Sequence, residues 1–235
     1  MQPQALIEAA IHSDTQAIAY TYSEPLVHIE YLFDCMALAR KHGIANVLVT
    51  NGCINPDPAR EILSLTEAAN IDLKCFSQDN YTNILGGNLD AVCTFIRLAV
   101  NLGVHVEITT LVVPGFNDST KELSKCAGFL QSICEEPDTP RIPWHLSAYH
   151  PDYRWNAPLA GPEQLLRLKK QAAGQLRYVY TGNIPGEEND THCPECAECI
   201  VRRRGYRTDT LLSPPKAGDK YFRCAACSGK TAVRW

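Results

Sequence analysis

No apolar run in this 235-residue chain is long enough to span a bilayer, which excludes an integral membrane helix. The start, Met1-Gln-Pro-Gln-Ala-Leu6, lacks the basic patch and apolar core of a secretory signal. Charged residues make up only 20% against 45% apolar, which excludes long disorder. Positive charge is not in excess: 22 Lys and Arg face 26 Asp and Glu, so the chain as a whole is not a nucleic-acid coat. A paired-cysteine framework is missing too, because the eleven cysteines are odd in number and follow no secretory start. A reducing, cytoplasmic compartment is the expectation.

What is present is uneven. Cys35, Cys53, Cys75, Cys93, Cys126 and Cys134 are scattered, whereas Cys193, Cys196, Cys199, Cys224 and Cys227 crowd into the last 43 residues. Residues 1–198 carry 13 basic and 24 acidic residues, and residues 199–235 carry nine basic and two acidic. The tail is therefore a different kind of surface, and a boundary is expected near 184, giving domains 1–184 and 185–235.

The first 180 residues alternate strand-like runs with helical stretches. The strand candidates are 16–20, 46–50, 70–73, 104–113, 142–147 and 177–181. Between them, Leu26, Ile29, Phe33 and Met36 form one apolar stripe, closed at Gly43, and Leu89, Val92, Ile96 and Ala99 form another, closed at Gly103. Asp57-Pro58 reads as a helix start, Ser119 with Glu122 as a capping box, and Gly161-Pro162 as one more start. Such alternation specifies an α/β fold with a parallel sheet, either doubly wound or part of a (β/α) barrel. In both, ligands bind beyond the carboxyl ends of the strands. Those ends deliver Ser23 and Glu24, then Thr50-Asn51-Gly52, then Asp72 and Lys74, then Thr109, then His145. Strand-to-helix turns are polar in any case, but Glu24, Lys74 and His145 are not capping residues. The rim suits a polar, zwitterionic small ligand.

In the tail, Cys193-Pro-Glu-Cys196 and Cys224-Ala-Ala-Cys227 are two Cys-x2-Cys knuckles separated by 27 residues. Four soft thiolates select zinc or iron, and a module of this size has too small a core to fold without such help. A zinc ribbon, with Tyr206 and Tyr221-Phe222 between the knuckles, is the expectation, with rubredoxin-like iron the lesser occupant and Cys199 a spare. Arg202-Arg-Arg204 and Arg207 are read as a solvated face in preference to a nucleic-acid contact. Cys53 and Cys75 are read as small buried fillers.

Several strings in fixed order resemble the radical S-adenosylmethionine (SAM) enzymes, and among them those similar to pyruvate formate-lyase activating enzyme. They are Ala19-Tyr-Thr-Tyr-Ser-Glu-Pro25, Val49-Thr-Asn-Gly52, Ala69-Asn-Ile-Asp-Leu-Lys74, His105-Val-Glu-Ile-Thr-Thr-Leu111 and Val113-Pro-Gly-Phe-Asn-Asp118. With Tyr178-Val-Tyr-Thr-Gly-Asn-Ile-Pro-Gly186 and Thr191-His-Cys-Pro-Glu-Cys196, they are similar to the radical SAM branch of the AmmeMemoRadiSam system. The resemblance implies a partial radical SAM (β/α) barrel followed by the zinc ribbon. It implies SAM and a [4Fe-4S] cluster as cofactors, reductive cleavage of SAM to a 5′-deoxyadenosyl radical, and hydrogen abstraction from an unidentified substrate, proteins included. An electron donor such as flavodoxin or ferredoxin is implied, and neither nucleic acid nor membrane.

Position by position, Ser23 and Glu24 stand where the family holds the methionine amino group of SAM. Thr50, Asn51 and Gly52 stand near its ribose or a cation, Asp72 and Lys74 at its carboxylate, and His145 near the ribose. Val49 replaces an aspartate of the activating enzymes, and Thr109 an arginine. The family's Cys-x3-Cys-x2-Cys cluster loop, which precedes the Tyr-Ser-Glu-Pro turn, has no counterpart here, so no residue of this chain is assigned as a [4Fe-4S] ligand. The expectation is a truncated member, inactive as it stands, lacking the first strand and cluster loop through a late start codon, a split gene or an incomplete fragment. The rival readings are a catalytically inactive SAM-binding or partner-docking module and a nucleic-acid-binding zinc-ribbon protein.

Overall fold

The computed structural model describes residues 1–133, 142–152, 155–185, 189–205 and 207–234. Cys134, Tyr206 and Gly186, singled out above, lie outside the described residues. The chain divides into two compact units, Met1–Thr109 and Thr110–Trp235.

The first unit contains α1 (Pro3–His12), β1 (Ala17–Tyr20), a 3₁₀ turn (Pro25–His28), α2 (Ile29–Lys41), β2 (Ala45–Thr50), α3 (Pro56–Ser64) and β3 (Ala68–Asp72). There follow α4 (Gln78–Asn80), a π turn (Tyr81–Leu85), α5 (Leu89–Asn101) and β4 (His105–Val112), which runs across the unit boundary. All strand pairs here are parallel: Ala17 lies opposite Ala45, Val47 opposite Ala68, and Ala68 opposite His105. Alternation then sorts the side chains. Leu48, Ala69, Ile71, Val106 and Ile108 are buried, while Val47, Val49, Asn70, Asp72, Glu107 and Thr109 share a half-buried face.

The helix stops work as expected. Gly43 and Gly103 both have positive φ, and the next residue closes back five positions, Ile44 N–H to the Ala39 carbonyl and Val104 N–H to the Ala99 carbonyl. This pattern satisfies carbonyls that a helix end leaves orphaned. Two local expectations need correction. Helix α3 starts one proline earlier, with Asn55 as N-cap and Pro56 in its first turn, because the first proline already fixes helical φ. The buried stripe of α2 is Leu32, Cys35, Met36 and Ala39, so of the expected stripe Met36 is buried while Leu26, Ile29 and Phe33 are half-buried. The 3₁₀ turn ahead of it has a tighter pitch, so Leu26 falls out of phase. The α5 stripe is buried as expected, at Leu89, Val92, Ile96 and Ala99.

The second unit contains the end of β4, α6 (Thr120–Ile133), β5 (Trp144–Ala148), α7 (Pro162–Ala172) and β6 (Val179–Gly182). Ser119 caps α6 by accepting from Glu122 N–H at 3.2 Å. Strands β5 and β6 are parallel, with His145 opposite Tyr180. The fully buried Trp144 donates its indole N–H to Thr110 Oγ1 at 2.9 Å. Two small antiparallel sheets follow. One is β7 (Thr191–His192), β8 (Cys199–Arg204) and β9 (Arg207–Thr210), and the other is β10 (Leu212–Ser213), β11 (Tyr221–Cys224) and β12 (Lys230–Arg234). No helix among the described residues is long and apolar enough to cross a membrane.

Candidate functional site

In the first unit, three strand ends converge. Glu24, after β1, accepts from Leu26 N–H at 3.2 Å, which anchors the 3₁₀ turn. Its carboxylate also accepts from Thr50 Oγ1 at 2.5 Å and from Asn51 N–H at 2.8 Å, both at the end of β2. Thr50 is buried and accepts from Gly52 N–H at 3.1 Å, so its hydroxyl positions the turn from beneath. Asn51 Oδ1 accepts from Cys53 N–H at 2.8 Å.

Gly52 has φ +65°, and an added Cβ would lie 2.9 Å from Phe95 Cδ1. Gly52→Ala is therefore expected to cost about 1–3 kcal/mol, from left-handed strain plus the clash with a buried ring. A lowered urea midpoint at unchanged slope would report it, and an unchanged midpoint would show that the turn relaxes freely.

Beyond β3, Lys74 Nζ donates to Asp72 Oδ2 at 2.8 Å, both side chains being about two-fifths exposed. Lys74 N–H donates to the hydroxyl of Tyr81, a buried ring on the π turn. Glu24, Asn51, Cys53, Asp72, Lys74 and Tyr81 line one cleft of about 330 Å³. Two carboxylates and an ammonium around an open cleft can grip a zwitterion, pairing its ammonium and its carboxylate separately.

Not every expected residue joins this cleft. Ser23 lines a neighbouring hollow of about 450 Å³ with Glu24, Tyr20 and Tyr31. Thr109 donates to Asn70 Oδ1 at 2.8 Å on the half-buried sheet face. His145 belongs to the second unit, where its ring stacks on Tyr180 at 5.3 Å. Cys75 is buried as expected, but Cys53 is exposed, because the turn that buries Thr50 turns the next side chains outward. Tyr81 was not legible as a site residue: a π turn has no sequence periodicity by which to find it.

The second cluster lies in the second unit. Cys193 and Cys196 sit on the turn between β7 and β8, while Cys224 closes β11 and Cys227 sits on the turn from there to β12. The two turns are built alike. Cys193 N–H donates to the Glu198 carbonyl and Ala197 N–H to the Cys193 carbonyl; Cys224 N–H donates to the Gly229 carbonyl and Ser228 N–H to the Cys224 carbonyl. Ala197 and Ser228, at equivalent places, both have φ +61°.

The four Sγ atoms lie within 4.8 Å of one another, with Cys193–Cys227 at 3.6 Å and Cys196–Cys224 at 3.7 Å. A tetrahedral ion with metal–sulfur bonds of about 2.3 Å needs sulfurs about 3.8 Å apart, so the set fits one metal ion. Burial raises the Cys193 pKa, but the N–H groups of Cys196 and Glu195 outweigh it and bring the thiol down to about 7. The Glu198 N–H lowers the Cys196 pKa, but Cys227, burial and the remaining cysteines push it up to about 12. Four thiolates this close would need a cation among them, so the set could hold a metal ion.

A cubane is another matter, since its iron corners take separate thiolates spread wider than this. Among the described residues, this tetrad is the one group of three or more potential ligands brought together. Cys199 stands apart, directing its thiol to Asp190 Oδ2 at 3.7 Å.

The arginine run is not uniformly solvated. Arg202 and Arg204 are exposed, at 4.0 and 3.4 Å from the Asp190 carboxylate. Arg203 turns inward, donating to the Asn189 carbonyl at 2.6 Å and to Thr191 Oγ1 at 2.7 Å. Arg203 N–H, with burial opposing and Arg204, Cys199 and Arg202 assisting, holds Asp190 below the usual carboxylate range.

Comparison with known proteins places this geometry. An uncharacterized protein of Methanocaldococcus jannaschii is 34% identical over 206 residues, covering 86% of this chain and 60% of that protein. The pyruvate formate-lyase-activating enzyme of Clostridium pasteurianum is 27% identical over 128 residues, covering 54% of this chain and 53% of the enzyme. The chain thus spans between half and two thirds of the length of these relatives. A solved domain of pyruvate-formate lyase-activating enzyme from Bacteroides vulgatus shares the fold at a TM-score of 0.60 and 20% identity, covering 71% of this chain and 98% of that domain. Residues 2–127, which contain the whole cleft built by Glu24, Asn51, Asp72 and Lys74, match the radical SAM superfamily, and the chain belongs to that superfamily.

Proposed function

We propose that these residues form the SAM-binding part of a radical SAM enzyme of the activating-enzyme type, in the branch associated with the AmmeMemoRadiSam system. The observation that carries this reading is the convergence of Glu24, Asn51, Asp72 and Lys74 on one cleft at the strand ends. Lys74 pairs with the carboxylate of SAM, and Glu24, held by Thr50 and Asn51, takes its ammonium. Gly52 shapes the turn that carries Asn51, while Ser23, Thr109 and His145 are assigned to SAM on the resemblance alone, His145 at the ribose. In this family SAM, bound with a [4Fe-4S] cluster, supplies the radical that takes hydrogen from substrate. What this chain contributes is binding, charge matching and orientation.

The described cysteines bring together only the closed tetrad, which does not fit that cluster, and no step is derived through it. No described cysteine is assigned as its ligand, and residues 1–184 are read as a partial barrel. Residues 185–235 are read as a zinc ribbon, a reading supported by the matched turns and the sulfur spacing. The substrate is unidentified and proteins are included among candidates. The electron comes from a donor of the flavodoxin or ferredoxin kind, and the compartment is the cytoplasm.

Titrating SAM into the chain tests the cleft. Lys74→Ala is expected to weaken binding by roughly 1.5–3 kcal/mol, the scale of a charge-assisted bond. An unchanged dissociation constant would remove Lys74 from the site.

A further inference from the structure

Tyr180 lies between two parts of the second unit. On β6 it is the direct register partner of His145 on β5, and the two rings stack at 5.3 Å with 26° between their planes. From the ribbon side, the Arg203 guanidinium lies 5.5 Å from the centroid of the same ring, within cation–π range. Tyr180 Oη and Thr191 Oγ1 are 2.8 Å apart, and Arg203 donates to that same threonine oxygen. Arg203 is itself fixed three ways: by the Asn189 carbonyl, by Thr191, and through its own N–H to Asp190 Oδ1 at 2.7 Å. Both side-chain bonds leave from one nitrogen, Nη1, and the rest of the guanidinium lies near the ring, a planar group that a lysine does not carry.

We propose that Arg203 is a positioning residue: it fixes the Tyr180 ring, and through it the plane of the His145 imidazole, so that the cysteine-rich ribbon sets the geometry of a residue on the strand layer. The role of His145 toward SAM rests on the function proposed above, whereas the brace itself rests on these contacts alone.

The test is carried out on the chain as it stands, following histidine ring resonances by NMR, with the His145 signal identified by its loss in His145→Gln. Arg203→Met should displace the His145 signals while those of His12, His28 and His42 stay in place. Arg203→Lys should restore them only in part, because the cation remains but the planar group near the ring is lost. Tyr180→Phe, which keeps the stack but loses the hydroxyl and its bond to Thr191, is a milder variant that leaves every ribbon side chain in place and should also move them. His145 signals unmoved in Arg203→Met and in Tyr180→Phe would overturn the brace. Addition of SAM should also shift the His145 signals, and Arg203→Met should weaken SAM binding several-fold. If Arg203→Met moves His145 but SAM does not, the brace stands and the placement of His145 at SAM is wrong.

Discussion

Anaerobic reconstitution of this chain with iron and sulfide, under a strong reductant, is expected to produce no 5′-deoxyadenosine from SAM. A site-differentiated cubane needs three protein thiolates that leave one iron open. Cys35, Cys93 and Cys126 are buried singly on α2, α5 and α6, and Cys75 is buried beyond β3, so bringing them together would require unfolding the core. Cys53 alone among the scattered cysteines described is exposed. The tail tetrad can take iron, but as four thiolates around one ion it leaves no open position. The in-chain run Cys193-x2-Cys196-x2-Cys199 does not act as a triad, because Cys199 faces Asp190 instead. Joining a segment with the Cys-x3-Cys-x2-Cys spacing to the chain should restore product. Turnover by the chain as it stands, lost on replacing its own cysteines, would overturn this reading of the cysteines.

Removal of the metal proposed for the cysteine tetrad is expected to melt residues 185–235 while leaving the first unit folded. The apolar core around the tetrad is small: Cys193, Ile200, Val201 and Cys224, with Leu212 and Val233 packed against it. Burial of so few side chains, at about 1.5–3 kcal/mol each, cannot offset the ordering of some forty residues. Structural zinc contributes on the order of 10 kcal/mol in comparable modules, enough to decide the balance. About one zinc per chain should be found after purification without chelators. Chelation should then abolish amide protection in β8, β11 and β12 but not in β2 or β3. Cys224→Ser should do the same without chelator. A ribbon that keeps its protection with no metal bound would show that packing on Tyr178, whose hydroxyl accepts from Ala232 N–H, is sufficient.

Much of this was legible in the sequence because it is local. The alternation of strands and helices, the stops at Gly43 and Gly103 and the cap at Ser119 depend on residues within a turn or two of each other. The Cys-x2-Cys spacing is local as well, since each knuckle is one tight turn that aims two sulfurs together whatever lies beyond it. The candidate rim was found by a topological rule, that ligands bind past strand ends, and this rule needs only the order of elements.

What only the tertiary structure decided depends on partners distant along the chain. Glu24 meets Thr50 and Asn51 across more than twenty-five residues, and the depth of that contact follows from the register of β1 on β2. A slip of one residue would have sent the same side chains to the opposite face. Tyr81 reaches Lys74 by way of a π turn, and Cys53 is turned outward by the hydrogen bonds that hold Thr50 in. Within the run Arg202-Arg-Arg204, sequence gives three equal cations, whereas strand alternation and the positions of Asn189, Asp190 and Thr191 turn only the middle one inward. Composition and spacing thus determined the kinds of elements and the chemistry available to them. Register and long-range hydrogen bonding decided which of those groups meet, because a side chain's partner is set by the strand beside it and not by its neighbour in the chain.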